Sequence, residues 1–269
     1  MIKEIINKFF NKKPSKLKIN EQTEIELKPD DVFLVSFPKS GNTWVRHLIG
    51  NYISDGEMNF SNGPEFMPDI HFNPEQINKI KFRPRFIKSH FPFPQNYPKV
   101  IYLVRDGRSV AVSLYYFLKK MNAIDRGLTF KEFLNAVFFS DKYQFGLWGK
   151  HVDDWTSLRK KDILVIRYED LLLNPEKKLT EILEFSGIKA DQNRVKMACE
   201  KSSFSEMQKD EELQNEKLKL MGHDFNQSGI KIVREGKTNS WMDYFDRDDL
   251  KKFDDYYSET MKRMSYYSR

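Results

Sequence analysis

At 269 residues, with 39% hydrophobic and 14% aromatic side chains, the chain is long enough for one sizeable core and too long for a peptide-like scaffold held by disulfides. Its single cysteine, Cys199, excludes an internal disulfide and a cysteine-based zinc site, and fits a reducing, cytoplasmic setting. The 45 basic residues against 39 acidic ones leave a net charge of +6, interleaved with Asp and Glu almost everywhere after residue 20. This is not the concentrated basic stripe of a nucleic-acid binder, and it suits a small anionic ligand.

Residues 1–20 read as an amphipathic extension and 21–269 as one domain. Within the extension, Ile2, Ile5, Ile6, Phe9 and Phe10 fall at helical spacing with Lys3, Lys8, Lys12 and Lys13 outside the stripe. Residues 1–13 are thus compatible with a helix packed on its own domain or with peripheral membrane contact, and they lack an uninterrupted apolar region of the secretory kind. No stretch approaches the roughly 20 apolar residues of a membrane span.

Val32 to Phe37 form a β-branched and aromatic run closed by Pro38 and Gly41, as expected of a buried strand entering a loop. Trp44, Val45, Leu48, Ile49 and Tyr52 then predict a helix. Residues 54–74, with two glycines and three prolines, read as an irregular excursion over the site. Two strands follow, at 85–87 running into Lys88-Ser89-His90, and at 100–104 running into Arg105-Asp106-Gly107. Helices are expected around 110–117, 129–139 and 143–159, then a strand at 163–168. The polar stretch 205–229 reads as a surface loop with some helix in it, and 247–264 as an amphipathic helix. Alternating strands and helices predict an α/β domain with a mostly parallel sheet covered on both faces, whose ligands lie beyond the carboxyl ends of the strands.

Pro38-Lys39-Ser40-Gly41-Asn42-Thr43-Trp44 stands where backbone N–H groups and a helix dipole converge on an anion, with Lys39 adding a full charge. It is not a Walker A loop, because Lys39 precedes Gly41 and no earlier glycine stands in it. A nucleotide kinase or NTPase on a similar sheet and a non-catalytic binder of an anionic nucleotide remain as alternatives to a transferase.

The segment Phe37 to Trp44 resembles the 5′-phosphosulfate loop of sulfotransferases that use 3′-phosphoadenosine 5′-phosphosulfate (PAPS), above all the cytosolic type acting on small molecules, in a bacterial-looking form. Three further segments match in order. Val104 to Phe117 resembles the 3′-phosphate segment, Lys88-Ser89-His90-Phe91-Pro92 the segment of the catalytic histidine, and Arg234-Glu235-Gly236, with Trp241 beyond it, the late loop that closes over the 3′-phosphate.

The resemblance implies a single domain resembling a P-loop kinase, and transfer of a sulfonate from PAPS to a hydroxyl or amine of a small-molecule or lipid acceptor, leaving adenosine 3′,5′-bisphosphate (PAP). His90 would act as base, Lys39 would stabilise the departing phosphate, Lys88 would assist at the sulfonate and Ser40 would hold Lys39. Ser40, Gly41, Asn42 and Thr43 would bind the 5′ end, with Arg105, Ser113, Arg234, Glu235 and Gly236 at the 3′-phosphate. Trp44 and Phe204 would sandwich the purine, with Tyr168 and Ser202 at its edge. No metal is implied, since a sulfonate carries less charge than a terminal phosphate.

The sequence departs from the family at several places, among them Asn239-Ser240 in place of a glycine-aspartate before Trp241 and a short stretch between Lys39 and His90. Asn42 replaces a threonine, Glu235 replaces a lysine, and the C-terminal threonine-valine dimer motif is missing, so the oligomeric state is left open. His47, His71, His151 and His223 stand in no motif comparable to that of His90. Phe60, Phe66, Met67, His71, Phe72, Phe91 and Phe93 are the candidate acceptor walls.

Overall fold

A computed structural model describes residues 16–18, 24–93, 95–141, 143–157, 162–220 and 240–267. The expected helix at 1–13, the loop residues Arg234, Glu235 and Gly236, and His223 lie outside them. Ahead of the main sheet, β1 (Lys16–Lys18) and β2 (Glu24–Glu26) pair antiparallel, with Leu17 opposite Ile25, so this pair straddles residue 20.

The main sheet has four parallel strands, β3 (Val32–Ser36), β4 (Phe86–Ser89), β5 (Lys99–Val104) and β6 (Ile163–Arg167), in the order β4-β3-β5-β6. Every residue of β3 is buried, which explains a run with no polar alternation: both of its faces meet core. The two-residue pleat sorts it, sending Phe33 and Val35 with Tyr102 and Val104 into one cluster and Val32 and Leu34 with Ile101 and Leu103 into the other.

The second cluster is closed by α1 (Asn42–Ile53) through Val45, Leu48 and Ile49. The first is closed by α2 (Gly107–Lys120) and by α3 (Trp148–Thr156), which buries Trp148 and Trp155. Beyond β6 come α4 (Tyr168–Leu173), α5 (Pro175–Phe185), α6 (Gln192–Lys201), α7 (Phe204–Leu220) and α8 (Arg247–Arg263). The layers are helix, parallel sheet, helix, as the alternation predicts.

Two expectations need correction. The segment from residue 205, read as a surface loop with some helix in it, is helical throughout to Leu220, because α7 buries Met207 and a polar residue, Glu211, which receives a hydrogen bond from Lys120 Nζ at 3.3 Å. A helix face that docks through a carboxylate leaves little apolar period to read. The helix expected from 143 starts only at Trp148, since Gly146 at φ 73° closes a turn onto the Tyr143 carbonyl.

The chain leaves β3 towards β4 on one side, and β5 lies on the other, so the carboxyl ends of β3 and β5 frame the crevice where doubly wound sheets take their ligands.

Candidate active site

The loop after β3 turns through two left-handed residues, Lys39 at φ 71° and Gly41 at φ 102°, before α1 begins. At Gly41 both backbone and space demand glycine, since a Cβ there would lie 2.4 Å from a Tyr168 ring carbon. Trp44 and Val45 N–H groups both reach the Gly41 carbonyl, which leaves the N–H groups at the very start of α1 without helical partners. Ser40 Oγ is buried and has no hydrogen-bond partner among the described residues. With no acidic side chain in the first turn of α1, the loop is a cradle for an anion.

The cations gather around it. Lys39 Nζ lies 4.3 Å from the Phe117 ring centroid on α2, and Arg105, at the end of β5, reaches the Lys39 carbonyl at 3.4 Å and stacks its guanidinium 4.4 Å over the Tyr168 ring. Trp44 stands edge-on to Tyr168 at 5.7 Å and donates from Nε1 to the Ser202 carbonyl at 3.0 Å. Ser202 is buried, and its hydroxyl accepts from Asn51 Nδ2 at 3.0 Å. Thr43 belongs to the first turn of α1, half-buried Ser113 lies on α2, and exposed Phe204 opens α7 two residues after Ser202. Trp241 packs 3.8 Å under the Arg108 guanidinium near the start of α2.

Asn42 turns inward. Its amide donates to Ser36 Oγ at 3.1 Å and to the Leu34 carbonyl at 3.4 Å, so the side chain serves the end of β3 while its position in the chain opens α1.

His90, one residue past β4, donates from Nδ1 to the Ser36 carbonyl at 2.7 Å. A carbonyl only accepts, so this bond fixes the proton on Nδ1 and leaves the lone pair on Nε2. Burial, with Lys88 adding to it, holds the His90 imidazolium well below its ordinary range, and the ring is a neutral base at pH 7. The Lys88 ammonium is paired with Asp69. Burial depresses it and Arg46 adds to this, while Asp69 opposes both.

Two histidines that stand in no motif turn out to touch His90. His71 accepts the His90 N–H on Nε2 at 2.9 Å, with its ring stacked at 5.8 Å, and His151 Nε2 donates to the His90 carbonyl at 3.2 Å. Tyr102 in turn donates to His151 Nδ1 at 2.8 Å. These contacts span 19 and 61 residues, beyond any local pattern; the one sequence signal was the i, i+4 pair His151 and Trp155 on a face turned to the sheet.

Among the candidate walls, His71 and Phe91 stand beside the base, joined by Phe145 and Tyr143. Three others stand elsewhere: Phe60 packs at a tilt on His47, Phe93 stands edge-on to Trp155, and Met67 is buried under α1.

Burial also pushes His151 down to about 4. Between that value and the ordinary 6.5 the unfolded chain holds a proton that the folded chain refuses, so this contribution is full above pH 6.5 and is lost as pH falls towards 4. The expected loss is on the order of 3 kcal/mol. Urea unfolding at pH 7.5, 6 and 5 checks it: stability falls with pH, and His151→Gln flattens the fall. A wild-type curve that is flat across this window contradicts the assignment.

The sulfotransferase domain family model matches residues 29–265. Among curated relatives, the 3-alpha-hydroxysteroid sulfotransferase of Cavia porcellus is 30% identical over 247 residues, covering 87% of this chain and 85% of its own. Sulfotransferase 1E1 of Bos taurus is 29% identical over 262 residues, covering 89% and 86%. Among solved structures, a retinol dehydratase in complex with retinol and PAP shares the fold with TM-score 0.72 at 24% identity, over 88% of this chain and 82% of that one. Mouse sulfotransferase SULT7A1 complexed with PAP gives TM-score 0.68 at 25% identity, over 87% and 85%. An anion cradle at the switch point of a parallel sheet, a neutral buried histidine beside it and a family match across nearly the whole chain lead to one conclusion: the chain belongs to the sulfotransferase domain family.

Proposed function

We propose that the chain transfers a sulfonate group from PAPS to a hydroxyl of a small-molecule acceptor, with His90 as general base. The observation that carries this reading is the His90 tautomer, a buried, neutral imidazole with its Nε2 lone pair uncommitted to the Ser36 bond, next to a cationic loop. The 3-alpha-hydroxysteroid relative supports the hydroxyl acceptor, and the PAP complex of the mouse relative supports the donor.

The residues present fit such a nucleotide. The buried Ser40 hydroxyl, without a hydrogen-bond partner among the described residues, asks for an acceptor oxygen, and the ring of Tyr168 over Gly41 leaves room for no side chain at that position. Lys39, Ser40, Gly41, Asn42 and Thr43 would hold its 5′ end, Arg105 and Ser113 its 3′-phosphate, and Trp44, Tyr168, Ser202 and Phe204 its base. Arg234, Glu235 and Gly236 belong to the same proposal from sequence alone. When bound, PAPS supplies an activated sulfonate.

His90 Nε2 takes the proton of the acceptor hydroxyl, and the Ser36 carbonyl stabilises the imidazolium that results through its bond to Nδ1. Lys39 and the first N–H groups of α1 stabilise negative charge at the loop. Lys88, held by Asp69, adds a buried cation on the next strand. Aromatic side chains around His90 exclude water from the base.

Calorimetric titration with PAP tests the nucleotide half of the proposal. The wild type binds one equivalent, and Arg105→Ala weakens binding by about ten- to a hundredfold, as expected for a charged hydrogen bond lost from a phosphate. Equal binding by both proteins would remove Arg105 from the site, and no binding by the wild type would remove the donor.

A further inference from the structure

Residues 68–70 run alongside the outer edge of β4 as a parallel bridge: Lys88 donates to the Pro68 carbonyl at 2.9 Å, and Ile70 donates to the Lys88 carbonyl at 3.0 Å, with Asp69 opposite Lys88. Continued by two residues, this register sets His71 opposite His90. A parallel ladder would next send the His90 N–H to the Ile70 carbonyl. It goes instead to the imidazole of His71, so a side chain that titrates replaces a backbone group that does not, at the residue next to the base.

The segment that carries His71 is built to hold it. Its own N–H donates to Asp69 Oδ1 at 2.9 Å, Asn73 Oδ1 accepts the Asp69 N–H at 2.6 Å, and Asp69 is paired with Lys88. The ring packs on Phe91 at 4.4 Å and on Phe145 at 5.4 Å, and lies within 16° of parallel to the His90 ring.

We propose that His71 is a positioning residue of the transfer centre: neutral, it accepts the His90 N–H and sets the His90 ring against the Ser36 carbonyl, and protonated it lets go. This inference rests on the reading of His90 as the base. A protonated imidazole has no lone pair, so its Nε2–H would face the His90 N–H donor to donor. The groups that set this equilibrium are Asp69 on its own segment, which favours the proton, and Lys88 and His90 on and just beyond β4, which oppose it. Burial opposes it most, so His71 is neutral at pH 7 and the bond is made.

The acid limb of turnover therefore falls with two protons, one lost base and one lost anchor. Two variants separate the roles. His71→Gln offers an oxygen at the reach of Nε2 that accepts the same N–H and does not titrate, and His71→Phe keeps the ring stack and removes the acceptor. In wild type, log kcat/KM against pH approaches a slope of two once the pH lies below the depressed titration ranges of both His71 and His90. His71→Gln keeps kcat at pH 7.5 within a few-fold and shows a slope of one. His71→Phe loses about ten- to a hundredfold in kcat at every pH, the scale of a displaced catalytic group, with PAP affinity unchanged. A wild-type slope of one, or an unchanged slope in His71→Gln, overturns the proposal.

A second measurement needs no turnover, which keeps failure of the enzymatic reading separate from failure of this inference. In protein labelled with 15N, the His90 amide resonance follows the titration of the His71 ring, and His71 titrates from the form protonated on Nδ1. An amide shift indifferent to that titration overturns the proposal, whatever the chain catalyses.

Discussion

Replacing His90 with alanine lowers turnover by about 10²–10⁴-fold while PAP affinity stays within a few-fold, the range expected when a positioned general base is removed. The two effects separate because His90 stands after β4, whereas the loop at Lys39 to Trp44 stands after β3. Substitution deletes the ring and its bond to the Ser36 carbonyl but keeps the peptide N–H and C=O that hold His71 and His151, so the local chain path survives. Single-turnover rates beside calorimetry with PAP check both halves. Activity above a tenth of the wild type in a folded variant would remove His90 from the chemistry.

Lys39→Met costs both rate and affinity. The methionine stem still packs on Phe117, and it adopts the left-handed backbone at φ 71° neither more nor less readily than lysine, so the change isolates the charge. Removing one donor aimed at developing negative charge costs about 10²–10³ in rate. PAP affinity falls about tenfold or more, since in the proposed site the same cation faces the 5′-phosphate before transfer. A variant that turns over and binds normally would make Lys39 a surface cation that stacks on Phe117 and nothing more.

Much of this site is legible in the sequence because its parts are local. The runs closed by Pro38, by His90 and by Arg105 mark strand ends, and in a parallel sheet strand ends on the same side share a crevice. Local reading stops where a residue matters through what the crossovers bring to it. His71 looked like one more aromatic in a proline-rich excursion, and His151 stood in no motif; each meets His90 only because residues 68–70 bridge to β4 and α3 packs over β5. The inward turn of the Asn42 amide to Ser36 was likewise not legible, because it depends on where the helix start lies against the end of β3. The full extent of helix α7 was not legible because a polar face docks it through Glu211, and hydrophobic period is blind to a buried ion pair.

The most direct test of the account is a stoichiometry. Incubated with PAPS and a panel of steroid and phenol hydroxyl acceptors at pH 7.5, the protein is expected to release PAP only when acceptor is present, with one sulfonated product formed per PAP. Tight binding of PAP with no transfer to any acceptor, or release of PAP at the same rate without one, would contradict sulfonate transfer as the function of this site.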